Sequence, residues 1–190
     1  MDEAERLYRS GYVLETRARD LLRAAMHEYE RAVEVDPTLE KAHHQLIFAR
    51  AALMEAQDSI ELYVRRHEQE PANAMWRRCL AHALLRAGAF EQALGVLGDA
   101  GDAGSVDLRA EAFAALGRPQ EALAEWSRAL ELDPDNLGPR YGRAFLLERL
   151  DRVDDAVVEW ETLIATLHER GWDEDAEWPE RELARLRPPS

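Results

Sequence analysis

A spacing of 34 residues constrains this chain more than any other feature. Tyr29 and Tyr63 are 34 apart, as are Trp126 and Trp160, Ala122 and Ala156, and Pro37 and Pro71. Ala25, Ser59 and Ala93 carry the same period. Glu34-Val35-Asp36-Pro37 recurs as Glu131-Leu132-Asp133-Pro134, each closing an apolar helical run. A repeat of this length is one supersecondary unit that cannot bury its own apolar face, so copies must stack. Ala, Leu, Glu and Arg fill the space between the markers. All are strong helix formers, so the unit is a helix pair. The proline ends the second helix of each pair, because it lacks an N–H and pushes its predecessor out of the helical region.

These residues resemble the tetratricopeptide repeat: a small residue at position 8, a large one at 11, small at 20, aromatic at 24, small at 27 and proline at 32. One segment carries Leu80, Ala81, Leu84, Gly88 and Ala93. The next carries Ala110, Phe113, Gly117, Ala122, Trp126, Ala129 and Pro134, and the last Ala144, Leu147, Ala156 and Trp160. A weaker copy holds Leu46, Ser59, Tyr63 and Pro71, with Arg50 and Arg66 out of pattern. The first keeps Ala25, Tyr29, Ala32 and Pro37, and its first helix fits with about two inserted residues that put Gly11 at position 8. The resemblance implies an all-α, right-handed superhelical array of about five antiparallel helix pairs with a C-terminal capping helix. Its expected segments are a divergent repeat 1 (1–39), repeat 2 (40–73), a shortened repeat 3 (74–102), repeat 4 (103–136), repeat 5 (137–170), and an acidic loop with a capping helix (171–190).

Two departures carry information. Ala93 to Ala122 is 29 residues rather than 34, and Gly95, Gly98, Gly101 and Gly104 lie in the gap. Four glycines disfavour a long helix, so the second helix of repeat 3 is expected to stop near Leu97 and leave a weakly buried stretch. After Gly171 the pattern ends, and Trp178-Pro179 reads as a fresh helix start with proline at its first position. The expected helices are about 3–16, 18–34, 39–53, 56–69, 73–86, 90–97, 104–116, 119–132, 138–150, 153–169 and 179–187.

Charge narrows the function. The net charge is −14, which argues against a nucleic-acid-binding face and against docking on anionic membranes. No apolar run approaches the roughly 20 residues that span a bilayer, and the acidic start Asp2-Glu3-Ala4-Glu5 is not a secretory signal. A cytoplasmic protein is expected. Cys79 is the single cysteine, and nothing nominates a base for it. Adjacent His43 and His44 diverge by about 100° on a helix. His44 and His82 can approach across neighbouring repeats, but no third ligand follows. No phosphate loop, dinucleotide turn or serine elbow is present. No enzyme activity, cofactor or metal is expected.

In proteins of the family it resembles, first helices line a concave groove through positions 2, 5, 9, 12 and 13. Carried over, these give Tyr8 and Tyr12 from the first repeat, then Lys41, His44 and Phe48. The third repeat adds Met75, Arg78, His82, Leu85 and Arg86. Asp107 and Glu111 follow, then Tyr141, Phe145, Glu148 and Arg149. The second and third repeats thus gather Lys41, Arg78 and Arg86 with two histidines and no expected acid, which suits an acidic or carboxylate-bearing peptide of another protein. The heat-shock carboxylate clamp of some relatives is not matched, since Asn73 and Asn136 lie in turns. The expected function is a non-catalytic adaptor that holds a peptide or helix of a partner. The alternative is a self-associating scaffold, with the acidic Trp172–Trp178 segment entering the basic groove of a neighbouring molecule.

Overall fold

The computed structural model describes residues 3–187, with side chains from residue 12 onward. Among these residues the chain forms ten α-helices and no strand. They are α1 (Glu3–Val35), α2 (Glu40–Ala52), α3 (Ala56–Gln69), α4 (Ala74–Arg86), α5 (Phe90–Leu97), α6 (Ala103–Ala115), α7 (Pro119–Leu132), α8 (Gly138–Arg149), α9 (Val153–Glu169) and α10 (Asp173–Leu186). The chain divides into two units, Met1–Leu97 and Gly98–Ser190. The division falls within the glycine-rich stretch, and α5 stops at Leu97 as the short spacing requires.

One turn design makes the helix pairs. The amide of Glu55 donates to Arg50 O, Ala89 to Leu84 O, Arg118 to Phe113 O, Arg152 to Leu147 O and Trp172 to Leu167 O, at 2.7–3.0 Å. Each bond closes a helix end over a residue in the left-handed region: Met54, Gly88, Gly117, Asp151 and Gly171, with φ from 57° to 79°. Glycine takes this conformation without penalty, whereas Met54 and Asp151 hold it against a cost of about 1 kcal/mol.

Residues 3–34 do not form the two expected helices. They form the single helix α1. The stretch Thr16-Arg17-Ala18-Arg19, where the break was expected, has neither glycine nor proline and is built of residues content in a helix, so nothing turns the chain. Among the described side chains of α1, those from Tyr12 to Leu21 are exposed and partial burial begins at Leu22, where the packing partner is α2.

The repeat logic holds inside each unit. The small residues at positions 8 and 20 are all at zero exposure: Ala81 and Ala93, Ala110 and Ala122, and Ala144 and Ala156. The bulky partners fill the space beside them. In the first unit Tyr63 is fully enclosed and stacks at 6.5 Å on Trp76. In the second, Trp126 and Trp160 are buried. Fully buried, each such aromatic contributes a few kcal/mol.

The C-terminal cap also differs from expectation. Most of the expected acidic loop, from Asp173 on, is the first part of α10, and Pro179 lies inside that helix rather than at its start, with its ring buried. Asp173, Glu174 and Asp175 occupy the positive end of the helix dipole. Trp178 then packs on Tyr141, Phe145 and Trp160 at ring separations of 6.0, 5.5 and 5.5 Å. His168 on α9 binds Asp173 through Nδ1 at 2.6 Å and Glu180 through Nε2 at 3.0 Å, pinning the cap.

Candidate functional site

In the first unit, the expected groove residues of α2 and α4 do come together. The rings of His44 and Phe48 meet His82 edge-on at 4.9 and 4.8 Å, and the Arg86 guanidinium lies 5.0 Å from the centre of the Phe48 ring. Lys41 and Arg86 are exposed on this surface, and Phe48 is 45% exposed. Two expectations need correction. The cluster does contain an acid: Glu40, at the first position of α2, takes both hydrogen bonds of the Arg78 guanidinium at 2.7 and 2.6 Å. A helix prefers an acid in its first turn, which puts Glu40 beside Arg78 of the next pair. Leu85 is only 5% exposed and belongs to the core.

His82, at 4% exposure, is likewise buried and is not an open groove residue, while His44 is half-buried. His43 is buried, with Nδ1 3.0 Å from the Tyr63 hydroxyl and Nε2 3.0 Å from Pro37 O. Burial lowers its pKa, and burial with the nearby cations pushes His82 down to about 3, so both rings are neutral. Burial pushes the Cys79 thiol up to about 12, which suits a core residue and not a nucleophile. No group of three metal-ligating side chains occurs among the described residues. Of the first-repeat candidates, Tyr12 is exposed on α1 and the Tyr8 side chain lies outside the described residues.

The second unit holds another candidate site. Between α6 and α8 is a pocket of about 240 Å³, lined by Ala114, Ala115 and Leu146, rimmed by Glu111, Phe145 and Arg149, and floored by Trp126 and Gly142. Gly142 makes the floor. A Cβ there would lie 2.4 Å from Trp126 Cζ2, so α8 crosses the indole face only because this residue has no side chain. The indole N–H donates to Asp107 Oδ1 at 2.9 Å. Phe145 and Arg149 are exposed, while Tyr141 is half-covered by Trp178. Glu148 accepts from the Trp160 indole at 2.8 Å and also binds Arg185 of the cap. In the Trp172–Trp178 segment Trp178 packs on rings of its own chain, while Trp172 stays 48% exposed.

Asp107 is the unusual group beside the pocket. Burial first, and the neighbouring Glu111 second, push its pKa up to about 7, against hydrogen bonds from Trp126 and Asn136. The native state therefore holds a proton there that the unfolded chain releases. The resulting stabilisation is complete below about pH 4 and is lost as pH rises through 7. Across that window the Asp107 contribution should fall by about 1.4 kcal/mol per pH unit. Urea unfolding at pH 5, 6 and 7 should show this slope as a difference between wild type and Asp107→Asn, with the variant gaining as pH rises. A pH-independent difference would mean that Asp107 titrates as an ordinary carboxylate.

Comparison with known proteins agrees with the geometry. Residues 106–136, which run from within α6 through α7, match the family model of the tetratricopeptide repeat. No curated protein matches the chain. Among solved structures, a thermophilic tetratricopeptide repeat protein of Thermus thermophilus is 22% identical, covers 91% of this chain and 94% of its own, and superposes with a TM-score of 0.67. A tetratricopeptide repeat protein of Parabacteroides merdae is 16% identical over 96% of this chain and 73% of its own, with a TM-score of 0.56. The MamA protein of Desulfovibrio magneticus RS-1, from residue 41 to its end, is 19% identical over 91% and 99%, at 0.54. At these identities the likeness is one of fold.

Proposed function

We propose that this chain, whose residues 106–136 match the tetratricopeptide repeat and whose fold is that of tetratricopeptide repeat proteins, is a non-catalytic binding module that holds a segment of another protein. The reading rests on the pocket between α6 and α8. Its apolar wall of Ala114, Ala115 and Leu146 suits one aliphatic or aromatic side chain of the partner, and Phe145 extends that surface. Arg149 on the rim suits a carboxylate, from an acidic side chain or a chain end. Lys41 and Arg86, on the separate surface of the first unit, supply cations of the same kind and strengthen the case for an acidic ligand. Arg78 contributes less, because Glu40 already satisfies much of its charge.

The test is a peptide-display selection on the full-length protein. Recovered sequences should pair an apolar residue with a neighbouring acid. Phe145→Ala combined with Arg149→Glu should weaken their binding by about 10-fold or more, the usual effect of removing an interface anchor, and binding should fall with salt, since exposed charges are screened over about 8–10 Å. Peptides bound equally by wild type and the double variant would place the ligand elsewhere.

A further inference from the structure

A break is built into α10. Pro179 has no N–H to give the carbonyl of Asp175, so the hydrogen-bond ladder lapses in mid-helix. Two kinds of contact hold α10 down across that lapse. One is apolar: the Trp178 ring packs on Tyr141, Phe145 and Trp160, and Ala176 and Pro179 are buried. The other is ionic. Asp173 lies before the proline and Glu180 after it, and both carboxylates meet the ring of His168 on α9. One imidazole thus ties both halves of α10 to α9.

This tie needs a proton. The two ring nitrogens of His168 lie 2.6 and 3.0 Å from carboxylate oxygens, and only an imidazolium donates from both. A neutral ring donates from one nitrogen and turns a lone pair on the other carboxylate. The hydrogen bonds to Asp173 and Glu180 in turn hold the His168 pKa above its ordinary 6.5. The contribution of the tie is therefore complete below about pH 6.5 and is lost as pH rises through the raised value.

Charged groups on the neighbouring elements are engaged away from His168. On α8, Arg140 and Arg143 bind Glu159 of α9, and Glu148 binds Arg185 of α10. Arg170, just after α9, binds Asp135, and Arg187, just after α10, binds Glu161 of α9. Tyr141 has its pKa raised by burial and by Asp175, so its hydroxyl stays neutral at these pH values. Asp107 titrates near neutrality, but it sits on α6, which has no contact with α10.

We propose that α10 is a pH-sensitive cap, clamped across its proline while the His168 imidazolium bridges Asp173 and Glu180, and loosened once that ring is neutral. Trp178 lies on Tyr141 and Phe145, so a loosened α10 uncovers rings beside the pocket between α6 and α8, where Phe145 stands on the rim. Any effect on a bound partner rests on the reading of that pocket given above; the clamp itself does not.

Hydrogen exchange of the full chain without ligand, at pH 6 and pH 9, tests the clamp separately from the pocket. Comparing wild type with His168→Gln at each pH removes the intrinsic pH dependence of exchange and the titration of Asp107. At pH 6 the amides of Asp173–Leu186 should exchange about 2- to 5-fold more slowly in the wild type, the effect expected of exposed ion pairs. At pH 9 that difference should vanish. Asp173→Asn with Glu180→Gln should exchange like His168→Gln at pH 6, and adding His168→Gln to this pair should change nothing further. Equal exchange of wild type and His168→Gln at pH 6 overturns the proposal. So does a difference of the same size at pH 9, which would make His168 a packing residue, or a carboxylate double variant that keeps wild-type protection at pH 6.

Discussion

Trp160→Ala is expected to cost about 3–5 kcal/mol, the price of deleting a buried aromatic side chain. Trp160 has zero exposure, and its ring meets Tyr141, Phe145 and Trp178 at 6.0, 5.2 and 5.5 Å. Its indole N–H is also the donor to Glu148, so truncation leaves that carboxylate one partner short. The loss therefore combines a cavity, broken edge-to-face contacts and a hydrogen bond. Four of the five tryptophans lie in the second unit, so urea unfolding followed by fluorescence reports on it directly. Hydrogen exchange should show α10 loosening first, because Trp178 rests on Trp160. A loss below about 1 kcal/mol would mean that the position is not core.

Arg109→Ala should cost about as much, near 3–5 kcal/mol, for a different reason. Arg109 is 7% exposed, and its guanidinium donates to Gly98 O at 2.8 Å, Ala100 O at 3.0 Å and Glu125 Oε2 at 2.5 Å. Removing it leaves two carbonyls unmet and Glu125 facing only Arg128 at 3.9 Å. Breaking a buried pair from one side costs far more than the pair contributes, because a partly buried charge loses its compensation. Adding Glu125→Gln to Arg109→Ala should recover part of the stability. Exchange of the amides in residues 98–104 should accelerate in the single variant. If stability and exchange are unchanged, the glycine-rich stretch is not held by this residue.

Arg109 shows where the linear sequence stops being informative. Four glycines before Ser105 read as a weakly buried gap, and the early end of α5 at Leu97 bears out that part. The stretch is nonetheless tied down by an arginine 11 residues away, and nothing in the repeat pattern marks that arginine. The same holds for Glu40. An acid in the first turn of a helix is explained by the helix alone, yet across the turn it neutralises Arg78, which the pattern offered as a binding residue. Gly142 was equally invisible, because its importance lies in the 2.4 Å between a missing Cβ and Trp126.

By itself the sequence determined the helix pairs. Local rules suffice there: small residues recur at positions 8 and 20, glycines stand at three of the five left-handed turns, and prolines close three of the second helices. Such signals depend on neighbours a few residues apart, so they survive in one dimension. Tertiary structure alone decided that α1 is one continuous helix, that Pro179 sits within α10, and that Phe145 and Arg149 share a pocket with Glu111. Each of these is settled by what packs against a segment. Trp178 on Tyr141 and Trp160 holds the first turns of α10 in place despite the proline, while α1, exposed at every residue from Tyr12 to Leu21, follows its intrinsic propensity and does not turn.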